Sequence, residues 1–156
     1  MDNKSLLTSN GNSNRLPLLL KQFKDESIYR ILNYGAGQHY KLHENLLPNN
    51  KIISYDPFVE EINQLPNKEK FDIVVCSNVL NVIHDDKELE SILDYFDTLT
   101  NKSIYITVYE GNGSGIGAFT KIGTYQRNLK LKDWDILWKR GYIRIGKVAY
   151  KFIKEV

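Results

Sequence analysis

One cysteine, one methionine and four prolines in 156 residues exclude several architectures at once. Cys76 has no partner in the chain, so a disulfide-stapled scaffold is ruled out and a reducing, cytoplasmic setting is expected. Long apolar runs are also missing. The run Ile73-Val74-Val75-Cys76 is far shorter than the roughly 20 residues of a helical membrane span, so no membrane role is expected. The opening residues Met1-Asp2-Asn3-Lys4 hold no apolar signal core, and no internal repeat recurs. What is present is the balance of an ordinary globular chain, with 42% hydrophobic and 26% charged residues. Single cores serve about 100 to 200 residues, so one domain over 1–156 is expected, with the Asn-, Ser- and Gly-rich residues 1–14 as a flexible arm.

A formal net charge of +2 conceals an asymmetry. Residues 121–156 hold ten Lys or Arg against three Asp or Glu, whereas residues 1–120 hold eleven against sixteen. A basic tail of this kind steers anionic partners such as nucleic acid, and a solvated face of lysines has the same composition. Both remain open from charge alone.

Periodicity predicts alternating strands and helices. A short amphipathic helix is expected over 15–24, a strand over 28–33, a helix over 38–47 that ends before Pro48, and a strand over 51–55. The nearly all-apolar stretch 71–76 suits a strand covered on both faces of a parallel sheet. Leu89, Ile92, Leu93, Phe96 and Leu99 recur at helical spacing after the capping pair Asp85-Asp86. The β-branched and aromatic stretch 103–109 is the next strand, followed by a Gly-rich loop over 110–117 and a helix near 132–140. Residues 141–153 read as a hairpin turning at Gly146-Lys147. Strands alternating with helices predict a parallel α/β sheet.

The strand over 28–33 runs straight into Asn33-Tyr34-Gly35-Ala36-Gly37. Two glycines one residue apart let the backbone turn without side chains and bring bare amides against a ligand at the following helix start. About 20 residues on, the second strand ends in Asp56, the position from which such folds hold a ribose through its hydroxyls. The pair points to an adenosine-type ligand. The nicotinamide fingerprint fits less well, because Gly35-Ala36-Gly37-Gln38-His39-Tyr40 lacks its last glycine.

In order along the chain, these pieces resemble a class I S-adenosylmethionine-dependent methyltransferase. The resemblance covers residues 28–156 and rests on Asn33-x-Gly35-x-Gly37, on Asp56, and on Phe71-Asp72 leading through Ser77-Asn78-Val79-Leu80 to His84. It implies a Rossmann-like three-layer sandwich whose mostly parallel sheet ends in an antiparallel C-terminal hairpin. It also implies S-adenosyl-L-methionine as cofactor, held by Asn33, Tyr34, Gly35, Ala36 and Gly37, by Asp56 and Pro57, and by Asn78 and Val79. Methyl transfer to a small-molecule or nucleic-acid acceptor follows. The chain departs from the family in three places. Asn33 stands where the first strand ends in an acid, and His39 stands where the loop has its third glycine. Only fourteen residues separate Asp56 from Phe71, so the third strand is expected to be reduced or lost, leaving Asn67 or Glu69 near the adenine position. An alternative is a protein that binds S-adenosylmethionine without methyl transfer, either a partner subunit or one that degrades it. The Pro-Pro-Tyr and Pro-Cys signatures of the DNA-methylating members are absent, and Cys76 reads as a buried strand thiol.

Methyl transfer is an in-line displacement, so positioning supplies most of the catalysis. His84 is a candidate proton acceptor, with a capping role as the simpler alternative, and Glu110 is a candidate acceptor-orienting carboxylate. Tyr109, Thr124, Tyr125, Gln126 and Arg127 follow the strand 103–109 at the ligand end of the sheet, where Arg127 suits an anionic substrate. His39 and His43 lie one helical turn apart with no third ligand, and read as a solvated face, so no metal is expected. Trp134, Trp138, Tyr150 and Phe152 read as core.

Overall fold

The computed structural model describes residue 20 and residues 29–45, 51–65 and 70–153. The expected arm 1–14, the helix 15–24 apart from Leu20, and the positions Asn67 and Glu69 lie outside the described residues. Six strands form one sheet: β1 (Arg30–Tyr34), β2 (Lys51–Tyr55), β3 (Phe71–Ser77), β4 (Thr100–Thr107), β7 (Ile143–Ile145) and β8 (Val148–Phe152), in the order β2-β1-β3-β4-β8-β7. β1 to β4 are mutually parallel, while β8 runs antiparallel to both β4 and β7. The hairpin at Gly146-Lys147 thus closes one edge of the sheet as expected, and β2 forms the other edge. Between Asp56 and Phe71 the described residues carry only a 3-10 turn at Glu60–Ile62. No strand lies among the described residues of that segment.

Among the described residues three α-helices have both ends described: α1 (Tyr40–Asn45), α2 (Asp86–Leu99) and α3 (Asp135–Lys139). Asp85 caps α2 by accepting the Lys87 N–H at 2.9 Å, and Asp86 and Glu88 add negative charge to its first turn. The helix buries Leu89, Leu93, Phe96 and Leu99 against Leu32, Val74, Cys76, Ile104 and Ile106. Each such side chain contributes about 1.5 to 3 kcal/mol by leaving water. Trp134 and Leu137 join the same cluster, so α2 and α3 cover one face. The alternate residues Ile31, Ile73 and Val75 face the other way and pack with Ile52 and the helical residue Leu20. The result is the three-layer Rossmann-like α/β arrangement expected from the alternating pattern.

Local differences from the sequence reading have identifiable causes. β4 begins at Thr100, because the Thr100 hydroxyl donates to Asp72 O at 2.6 Å and a register shift near Phe71 accommodates the extra pairing. The expected helix 132–140 divides at Trp134 into a 3-10 turn (Leu131–Asp133) and α3. A two-stranded hairpin, β5 (Ala118–Phe119) with β6 (Tyr125–Gln126), occupies a stretch with no strand signal in the sequence. Phe152 is 48% exposed and so is not core. Trp134 is buried, as expected.

The charge asymmetry folds back on itself. Arg140 pairs with Asp94 and lies 3.5 Å from Asp97, Lys151 Nζ lies 3.1 Å from Asp97, and Arg127 lies 2.8 Å from Asp86. The basic tail therefore spends part of its charge on acids of α2. Each exposed pair is worth about 0.2 to 1 kcal/mol, but together they set the tail against one helix.

Candidate functional site

The chain leaves β1 toward β2 on one side and later places β3 on the other. The carboxyl ends of β1 and β3 therefore flank the point where strand order reverses, which is where open α/β sheets hold ligands. Gly35 follows β1 with φ +74°, a left-handed conformation that side chains resist, and a Cβ there would collide with Val79 Cγ2. The Gly35 and Ala36 amides both donate to Tyr55 O, at 2.7 and 3.0 Å, tying the turn to the end of β2.

Asp56 extends that tie. Its Oδ2 accepts the Gly37 N–H at 3.0 Å and its Oδ1 accepts the Phe58 N–H at 2.9 Å. The carboxyl is 4% exposed. Burial raises its pKa above the ordinary aspartate value, and the Phe58 and Gly37 amides pull in the opposite direction. Each oxygen has a further lone pair, so the group can still accept hydroxyl donors.

A cavity of about 500 Å³ opens against this junction. Tyr34, Gly35, Tyr55, Asp56, Pro57 and Phe58 line its β1–β2 side. Ser77, Asn78 and Val79 line the opposite side, and Val82, Ile83 and His84 continue the wall to Glu88 and Ile92 of α2. Asn78 takes φ +59°, tolerated by asparagine, while its amide donates to Thr107 O at 2.9 Å and ends the β3 strand. Ser77 Oγ is buried without a hydrogen-bond partner. Tyr34 packs edge-on against Phe96 at 4.9 Å, and burial pushes its phenol well above the usual range. The same cause raises Tyr55, with Tyr95 and Asp56 nearby adding to it.

Of the expected contacts, Tyr34, Gly35, Asp56, Pro57, Asn78, Val79 and His84 meet around this one cavity. Asn33, Ala36 and Gly37 do not line it. Asn33 is 1% exposed and its Nδ2 has no partner, while Gly37 acts through its amide on Asp56. Glu110 does not reach the cavity: its Oε2 accepts the Leu131 N–H at 2.6 Å and caps the 3-10 turn there. Arg127 is likewise engaged, donating to Ile83 O at 2.7 Å and His84 O at 3.3 Å and pairing with Asp86. It fixes the loop that carries His84. The His39/His43 reading also changes, because His43 is 2% exposed and faces inward from α1. Cys76 is fully buried, and burial pushes its thiol above the usual range, leaving no reactive thiolate.

Asn81 and Asn128 are organisers that residue type alone did not disclose. Asn81 is buried; its Nδ2 donates to Gln126 at 3.1 Å and its Oδ1 accepts the Tyr109 N–H at 3.3 Å. Asn128, at φ +56°, donates to Ile116 O and accepts the Asn112 N–H. Asn81 joins the loop after β3 to β6 and to the loop after β4, and Asn128 joins the loop after β6 to the one after β4. In a chain rich in asparagine no local pattern singles them out.

No family model and no curated protein matches this sequence. Solved structures do match. NodS, an N-methyltransferase of Bradyrhizobium japonicum crystallised with S-adenosyl-L-homocysteine, aligns with a TM-score of 0.53 and 12% identity over 88% of this chain and 85% of that one. The magnesium protoporphyrin IX methyltransferase ChlM of Synechocystis, with bound SAM, aligns with a TM-score of 0.56 and 14% identity over 87% of this chain and 75% of that one. A longer protein of Nostoc punctiforme reaches a TM-score of 0.59 at 12% identity; 90% of this chain spans 55% of it. The chain therefore shares the fold of these solved S-adenosylmethionine-dependent methyltransferases.

Proposed function

We propose that the chain is an S-adenosyl-L-methionine-dependent methyltransferase whose cofactor lies in the cavity between the ends of β1, β2 and β3. The observation that carries this is the junction of Gly35, Asp56 and Val79: a side-chain-free turn, a buried carboxylate and an apolar wall meet at the sheet's switch point. Solved relatives of the fold crystallised with S-adenosylmethionine or its demethylated product support the choice of ligand.

The residues present fit that group. Asp56 keeps free lone pairs for ribose hydroxyls, Ser77 Oγ is a buried hydroxyl still lacking a partner, and Tyr55, Val79 and Ile92 offer apolar surface to a purine. When bound, the cofactor supplies an electrophilic methyl group on a sulfonium sulfur. The protein's own part is to hold an acceptor in line and to exclude water. His84, at the rim, is the imidazole that would take a proton from the acceptor.

A second reading, binding without transfer, draws support from Asn33, which brings no carboxylate to the end of β1. Incubation with cofactor carrying a labelled methyl group, in the presence of a metabolite pool or of nucleic acid, separates the two. Label in a product supports the enzyme, and binding without labelled product supports the second reading. Absence of binding removes both.

A further inference from the structure

Three rings from two loops meet at the rim of the cavity. His84 lies 4.3 Å from Tyr125 and 5.9 Å from Phe119, and Phe119 lies 5.3 Å from Tyr125, the last two contacts edge-on. His84 belongs to the cavity wall, whereas Phe119 is 66% exposed. Ile116 and Ile122, on the same segment, are 73% and 61% exposed. Large apolar side chains turned to water beside a cavity mark a place where something apolar binds.

The rim is held in place. A Cβ at Gly117 would collide with the Tyr125 hydroxyl, so the Tyr125 side chain lies directly against the backbone just before β5. The hairpin's turn is closed by Thr120 N–H to Thr124 O at 2.7 Å, and β6 is fastened to the cavity wall through Gln126 and Asn81 and through the Arg127 N–H on Asn81 O. Of the charged groups nearby, Arg127 is engaged by Asp86 and two carbonyls and Glu110 by the Leu131 amide, while Lys121 in the hairpin turn is exposed. The outward surface is therefore aromatic, next to an imidazole, with one lysine at the turn.

We propose that His84, Tyr125 and Phe119 form the acceptor subsite and that it takes a planar aromatic ring bearing a hydroxyl, a small phenol. An edge-to-face corner offers such a ring stacking and edge contacts, and the adjacent imidazole offers its hydroxyl a hydrogen bond. A nucleic-acid strand is the poorer fit, because it draws on cations along its backbone and three of the tail's, Arg127, Arg140 and Lys151, are spent on α2. The proposal rests on the assignment of the cavity to the cofactor, so its test reads ligand binding directly.

Saturation-transfer NMR on the full chain, with S-adenosylhomocysteine present, would compare para-cresol with cyclohexanol and with a short single-stranded oligonucleotide. We expect para-cresol to bind and cyclohexanol to bind at least several-fold more weakly. Phe119→Ala should weaken para-cresol about two- to tenfold, the range of one aromatic contact. Phe119→Leu, which keeps apolar area without a ring, should weaken it nearly as much. Calorimetry on each variant should give unchanged S-adenosylhomocysteine affinity, showing that the fold and the cofactor cavity persist. Equal binding of cyclohexanol, para-cresol affinity unchanged from wild type in both variants, or binding of the oligonucleotide but not para-cresol overturns the subsite. Loss of S-adenosylhomocysteine binding in the wild-type chain instead overturns the cofactor assignment.

Discussion

The two rims of the cavity are built from different materials. The rim at the ends of β1, β2 and β3 is mostly backbone: the amides of Gly35, Ala36, Gly37 and Phe58 converge on Tyr55 O and on the Asp56 carboxylate. Beyond His84, the loops from Tyr109 through Leu129 are held together by side chains, namely Arg127, Asn128 and the neighbouring Asn81, and carry rings turned to water. Under the proposed function, the first rim would hold the cofactor and the second the acceptor.

Breaking the backbone rim should have the larger effect. Gly35→Val places a side chain in a left-handed position and against Val79, and should cost about 2 to 5 kcal/mol of stability in urea denaturation, with loss of S-adenosylhomocysteine binding. A variant of wild-type stability and affinity would remove the turn from the site. Asp56→Ala leaves two buried amides without an acceptor and should cost about 1 to 3 kcal/mol in stability and a similar amount in ligand binding.

Asp56 also sets a pH dependence with two opposite slopes. Its folded-state pKa is raised by burial, so its contribution to stability is present at low pH and is lost as pH rises through the folded value. Ligand affinity, which needs the carboxylate, runs the other way and falls on acidification, beginning above the ordinary value near 4. Calorimetric titration of wild type and Asp56→Asn across that range checks both signs. A flat difference between the two proteins would contradict the assignment.

The side-chain rim should respond differently. Arg127→Ala strips donors from the Ile83 and His84 carbonyls and should cost about 1 to 2 kcal/mol in stability while leaving S-adenosylhomocysteine affinity within about twofold. Equal damage to ligand binding would mean that the rims are not separable. The smallest effect is expected at Asp97→Asn, which removes the partner of Lys151 and Arg140: about 0.5 to 1 kcal/mol at low salt, fading as salt is added.

The contrast between the rims also decided what was legible in the sequence. The backbone rim announces itself, because a turn without side chains requires Gly35 and the strand ends follow from local hydrophobic runs. The edge hairpin was legible for the same reason, as was the capping of α2 by Asp85. The loop rim was not. The sites of Asn81 and Asn128 depend on partners 45 and 12 residues away, and β5 and β6 are two-residue strands with no period to detect. Arg127 and Glu110 stand out in the sequence for their charge, but contacts formed only on folding give them structural work. The charge asymmetry was real in composition, and its meaning depended on α2 lying beneath the tail.

Calorimetric titration of the wild-type chain with S-adenosylhomocysteine, run beside NAD, tests the central claim most directly. Saturable binding of one S-adenosylhomocysteine per chain, with none for NAD, is the expected result. Binding of NAD without S-adenosylhomocysteine would contradict it.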